Sequence, residues 1–104
     1  MSDKPLTGVL YKTPHERSSY EIYEADLDFL CKIVKVLEAR FGFAALTLPV
    51  EGIDCLYWDF ARAEIRLTVG WDIWSGCFVF ADSEAGDEVV EEIGQYLDQV
   101  LHEL

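Results

Sequence analysis

The chain has 104 residues, 20 Asp+Glu against 8 Lys+Arg, and a formal charge of -12, a length that fits one modest domain. A hydrophobic fraction of 51% excludes a disordered polyelectrolyte. The charge argues against nucleic-acid backbones and anionic membrane surfaces as partners, because both repel it.

In chain order, residues 1–19 read as an N-terminal segment in which residues 6–12 (LTGVLYK) can pair as a short strand, weakened by Gly8 and ended by Pro14. Residues 20–104 read as a single domain. Ser18 and Glu21 have capping-box spacing, which predicts a helix starting there. Tyr23, Leu27, Leu30, Val34, Leu37 and Phe41 follow at helical spacing and form one apolar stripe. Gly42 supplies a helix stop, and Arg40 suits the negative end of the dipole.

The period then changes to two. Phe43–Leu48 reads as a strand ended by Pro49, Cys55–Phe60 as a second, Ala63–Val69 as a third and Trp74–Ala81 as a fourth. In the third, Ile65, Leu67 and Val69 should face inward, with Glu64, Arg66 and Thr68 outward. Ser83 can cap a final helix that buries Val90, Ile93, Leu97, Val100 or Leu101, and Leu104. The expected fold is α+β: a two-layer, four-stranded antiparallel meander, order α-β-β-β-β-α, with both helices on one face. The fourth strand is apolar on both sides (Phe78 and Phe80; Cys77, Val79 and Ala81), so as an edge it needs cover. Residues 6–12 are the first choice for that cover, giving a monomer; a homodimer through the fourth strand is the alternative.

The longest stretch without a charge runs only from Phe41 to Val50, too short for a spanning helix, which takes about 20 residues. Asp3, Lys4, Lys12, Glu16 and Arg17 interrupt any secretory apolar region. Cys31, Cys55 and Cys77 match neither a disulfide framework nor a zinc ribbon and read as buried reduced thiols. A cytoplasmic protein is expected.

The chemical motifs are sparse. Asp82–Asp87 superficially resembles a calcium loop but fails its register at Gly86 and Ile93. His15 and His102 lie at opposite ends of the chain, so no metal and no cofactor are expected. No phosphate loop or nucleophile elbow occurs, so no catalytic residues are assigned and the chain reads as non-enzymatic. Trp58-Asp59 and Trp71-Asp72 echo each other; a carboxylate pair beside tryptophans suits glycan chemistry. Turn-filling aromatics explain them better in so small a domain, and interface anchoring suits Trp71 and Trp74.

Charge distribution is more informative. No Lys or Arg follows Arg66, whereas nine acids do: Asp72, Asp82, Glu84, Asp87, Glu88, Glu91, Glu92, Asp98 and Glu103. Residues 1–66 are net -3, so -9 lies in the last 38 residues. Helix-dipole complementarity accounts for Glu84 and Asp87 but not for Glu91 and Glu92. Glu88–Glu92 and Asp87–Glu91 are like-charged i, i+4 pairs with no lysine nearby in sequence. Glu84, Glu88, Glu91, Gln95, Asp98 and His102 should form an exposed ridge that steers a basic partner.

A small acidic α+β chain in which Gly70-Trp71-Asp72-Ile73-Trp74-Ser75-Gly76-Cys77-Phe78 runs into an acidic terminal helix resembles the immunity proteins of bacterial toxin systems, over roughly residues 55–104. The resemblance implies a cytoplasmic inhibitor that neutralises a basic toxin domain, often a nuclease, by covering its active site with acidic side chains. The ridge and the Gly70–Gly76 turn would then form the inhibitory surface, with Trp71, Asp72, Trp74, Glu84, Glu88, Glu91, Glu92 and Asp98 as its partner-binding residues. Acidic secretion chaperones, usually dimeric, are a second resemblance, through the apolar fourth strand. A small hydrolase or glycan binder built on Trp58, Asp59, Trp71 and Asp72 ranks last.

Overall fold

The computed structural model describes residues 7–104. Its elements are β1 (Gly8–Lys12), β2 (Ser18–Ile22), α1 (Leu27–Ala39), β3 (Ala44–Ala45), β4 (Val50–Glu51), β5 (Cys55–Arg62), β6 (Ile65–Asp72), β7 (Gly76–Ala81), α2 (Glu84–Val100) and a closing 3-10 turn, Leu101–Glu103. All strands join one antiparallel sheet of order β1-β2-β7-β6-β5-β3, with β4 also on β5. The class is α+β, but the order is β-β-α-β-β-β-β-β-α rather than α-β-β-β-β-α.

The central meander β5-β6-β7 follows the expected short antiparallel connections. The first helix does not start at Ser18. Residues 18–22 form β2 instead, pairing Tyr20 with Val79 and Ile22 with Cys77. Tyr20 and Ile22 point to the helix side and enter the core, and Ser19 on the other side is buried as well, so pairing with β7 outweighs the local capping-box signal. Glu24, with φ 68°, separates strand from helix. The true cap is Asp26, whose carboxylate accepts the Phe29 N–H at 2.9 Å. Tyr23 is therefore outside α1 and exposed. At the other end Gly42, with φ 73°, takes the left-handed position after the helix.

β2 also answers the question of the fourth strand. β7 is flanked by β2 and β6 and has no free edge; residues 18–22 cover it, and β1 lies outside them. The expected boundary between residues 19 and 20 falls inside β2. Of the anticipated strand 6–12, Gly8–Lys12 is β1, and Leu6 lies outside the described residues. The anticipated strand Phe43–Leu48 reduces to Ala44–Ala45, because the chain leaves the ladder to place Thr47 O against Trp58 Nε1 at 2.8 Å before Pro49.

Both helices pack on one face. Leu67, Val69, Val79, Ala81, Tyr20 and Ile22 supply the sheet's half of the core, and Leu30, Ile33, Leu37, Val90, Ile93 and Leu97 supply the helices' half. Gly94 lets α2 approach closely: a Cβ there would sit 2.7 Å from Tyr20 Cδ1. The helices meet through Phe41 against Tyr96 and Arg40 over the Tyr96 ring.

Candidate functional site

The six acids of α2 divide into two sets. Asp87, Glu91 and Asp98 face the β1–β2 hairpin. Buried Asp87 accepts the Ser18 N–H at 2.8 Å and lies 3.7 Å from Lys12 and 3.8 Å from Arg17. Glu91 accepts the Ser18 hydroxyl at 2.9 Å and lies 3.8 Å from Lys12. Asp98 accepts the Tyr20 hydroxyl at 2.5 Å, and burial, followed by that carboxylate, pushes the Tyr20 phenol well above its usual range. The like-charged Asp87–Glu91 pair thus gains the counter-charges that local sequence lacks, from residues about 70 positions away.

Glu84, Glu88 and Glu92 form the second set. They are exposed, and among the described residues no Lys, Arg or His pairs with them. The expected ridge is accordingly split. Glu91 is only half-buried and turned toward Lys12, Asp98 is held by Tyr20, and Glu84, Glu88 and Glu92 remain free for contact.

The turn residues are divided as well. Trp71 points to the helix side and packs against the core. Asp72 points to the other face and caps the turn, its Oδ1 accepting the N–H groups of Trp74 at 3.0 Å and Ser75 at 2.6 Å. Trp74 stands 78% exposed beside Ile73. The free glutamates lie on α2, which begins beyond the opposite end of β7 from this turn. Alternation also separates the glycan constellation: Trp58 and Trp71 share the helix side, whereas Asp59 and Asp72 share the opposite face.

That opposite, helix-free face brings Tyr11, Glu21 and Tyr57, which belong to no expected site, beside Asp59, Phe78 and Phe80. One cross-strand row runs Val50–Tyr57–Gly70–Phe78–Glu21–Val9, and the next runs Asp59–Thr68–Phe80–Ser19–Tyr11. A Cβ at Gly70 would lie 2.7 Å from Phe78 Cζ and would strike Leu56 O, so Gly70 provides the floor on which the Phe78 ring rests. Tyr57 leans on Phe78 with centroids 5.6 Å apart, and Phe80 stacks on it at 5.9 Å. Tyr11 donates its hydroxyl to Glu21. Tyr11, Glu21, Tyr57, Phe78 and Phe80, with Asp72 and Ser75, line an open cleft of about 230 Å³. The available signal was the two-sided apolarity of Cys77–Ala81, which marks a central strand.

Thr68 Oγ1 lies 2.9 Å from Asp59 and 2.8 Å from Asp82, and its one proton serves one carboxylate at a time. Among the described residues no three His, Cys, Asp or Glu side chains converge as a metal site would require. The thiols are not uniformly buried as expected: Cys31 is exposed, Cys55 half-buried and Cys77 fully enclosed. Burial pushes the Cys77 thiol up to about 12, a setting that suppresses the nucleophilic thiolate. No helix among the described residues is long and apolar enough to cross a membrane. Compared with protein-family models, with curated proteins and with solved structures, the chain matches none.

Proposed function

We propose that this chain is a non-enzymatic acidic binding protein, an immunity-type inhibitor that acts in the bacterial cytoplasm by covering the active site of a basic toxin domain. The observation that carries the reading is the free row Glu84, Glu88 and Glu92. It lies on a helix whose opposite flank is pinned by Lys12, Arg17, Ser18 and Tyr20. A helix held this way presents the free carboxylates of its other flank to a partner and raises the association rate; in the proposed complex they would take the places of substrate phosphates.

Co-expression tests the proposal. A basic toxin domain encoded beside this chain should kill cells alone and be tolerated with it. The triple change E84K/E88K/E92K should fold normally yet lose protection, and wild-type binding should weaken as salt rises. Undiminished protection by the triple variant would make the row a solvated face and nothing more. Glu91 is left out because its reversal would also break the contact with Ser18.

A further inference from the structure

The helix-free face holds a second, chemically distinct surface. Its cleft is walled by four aromatic rings, Tyr11, Tyr57, Phe78 and Phe80, and edged by Glu21 and Asp72. Phe78 is nearly enclosed, whereas Tyr57 is 41% exposed and presents a usable ring surface. The cleft is smaller than pockets for whole small molecules, which run to about 300–1,000 Å³, and suits one inserted side chain.

Charge identifies that side chain. Glu21 is engaged by the Tyr11 hydroxyl, and Asp72 uses Oδ1 for the turn, leaving Oδ2 unengaged. Neither carboxylate has a Lys, Arg or His partner among the described residues. Glu21 raises the Tyr23 phenol; burial and then Glu21 raise Tyr11; burial, with Cys55 and Asp72 contributing, raises Tyr57. Two carboxylates without a basic partner at the edge of aromatic rings favour a cation above those rings. A planar, weakly hydrated guanidinium can stack on an aromatic face and still reach carboxylates at the rim, which a compact, strongly hydrated ammonium does less well.

We propose that this cleft receives an arginine side chain of a protein partner, the guanidinium stacking on Tyr57 and pairing with Asp72, while Glu21, across Phe78, adds negative charge to the same cleft. The inference rests on the reading of the chain as a binder of a basic protein and assigns that partner a contact separate from α2. Ile73 and Trp74 on the adjoining turn, with Ile53 beside it through the Ile73 N–H to Asp54 O bond of 3.1 Å, form an exposed apolar rim. Such a rim excludes water from a buried charge contact.

The test is an amide NMR titration of the full chain with three blocked tripeptides, Gly-Arg-Gly, Gly-Lys-Gly and Gly-Gln-Gly. The arginine peptide should shift Glu21, Gly70 and Phe78 saturably, the lysine peptide several-fold more weakly and the glutamine peptide not at all. In E21Q/D72N, where the asparagine oxygen can still cap the turn, arginine binding should fall about tenfold with an unchanged melting temperature. Tyr57→Leu should weaken it while keeping the face apolar. Equal responses to all three peptides, or full binding by E21Q/D72N, would overturn the proposal. Shifts confined to the amides of Glu84, Glu88 and Glu92 would also remove the cleft, while the α2 reading would survive and stand or fall on E84K/E88K/E92K.

Discussion

The two faces of the sheet are built from the same strands, residue by residue in alternation, yet they obey different rules. On the helix side, Phe60, Leu67, Val69, Val79 and Tyr20 are sealed against α1 and α2. On the other side no helix covers Phe78 and Phe80, which rest on Gly70 and on neighbouring rings with carboxylates at their edges. The first face supplies stability through apolar area removed from water. The second has aromatic area that the fold leaves incompletely covered, a property of surfaces that meet other molecules.

Mutation should expose this difference at once. Phe60→Ala, at 0% exposure on the helix side, should cost about 3–5 kcal/mol through lost transfer energy and a residual cavity. Tyr57→Ala, three residues earlier on the same strand but on the open face, should cost less than about 1 kcal/mol. Urea melts of the two variants measure both values. Similar losses would mean that the open face contributes to the core, and its assignment as a contact surface would fail.

A second contrast lies within α2. Asp87→Ala leaves the buried Ser18 N–H without its acceptor and removes a counter-charge from Lys12 and Arg17, a loss of about 2–3 kcal/mol. Glu88→Ala should stay within about 0.5 kcal/mol of wild type and weaken only partner binding. Hydrogen exchange in β1 and β2 should rise in the Asp87 variant alone. Equal effects would show that both sets of acids serve the same purpose.

Much of this arrangement was legible in advance, for identifiable reasons. The β5-β6-β7 meander and α2 carry clear periodicity, and Leu67, Val69, Ile93 and Leu97 read correctly as core. Ser18–Ile22 did not, because a helical stripe can be continued through Tyr23 and a capping box imitated by Ser18 and Glu21. The competing information was non-local: the partner strand is nearly 60 residues later in the chain, at Cys77–Phe80. The same omission hid the pairing of Lys12 and Arg17 with the acids of α2, and so made the ridge look longer than it is. The cleft required both the strand order and the ring that Gly70 allows, neither of which a local pattern contains.

The smallest effect separates the faces by alkaline titration. Cys77 and Tyr20 lie on the covered side, and burial raises both above their ordinary values, the thiol from 9.0 to about 12. Above pH 9 the unfolded chain releases the thiol proton while the folded chain keeps it. The native state then binds more protons than the unfolded state, so stability falls as pH rises. The contribution is fully present below pH 9 and is lost progressively toward the folded value near 12, amounting to about 1 kcal/mol by pH 10. Cys77→Ala should lower stability at pH 7 but flatten its decline between pH 9 and 10, measured by urea melts across that range. Phenolate absorbance provides the companion readout: Tyr57 and Tyr23, on the open side, should ionise before global unfolding, whereas Tyr20 should ionise only with it. An unaltered slope in the Cys77 variant, or early ionisation of Tyr20, would mean that water reaches the covered face and that the two sides differ less than their packing indicates.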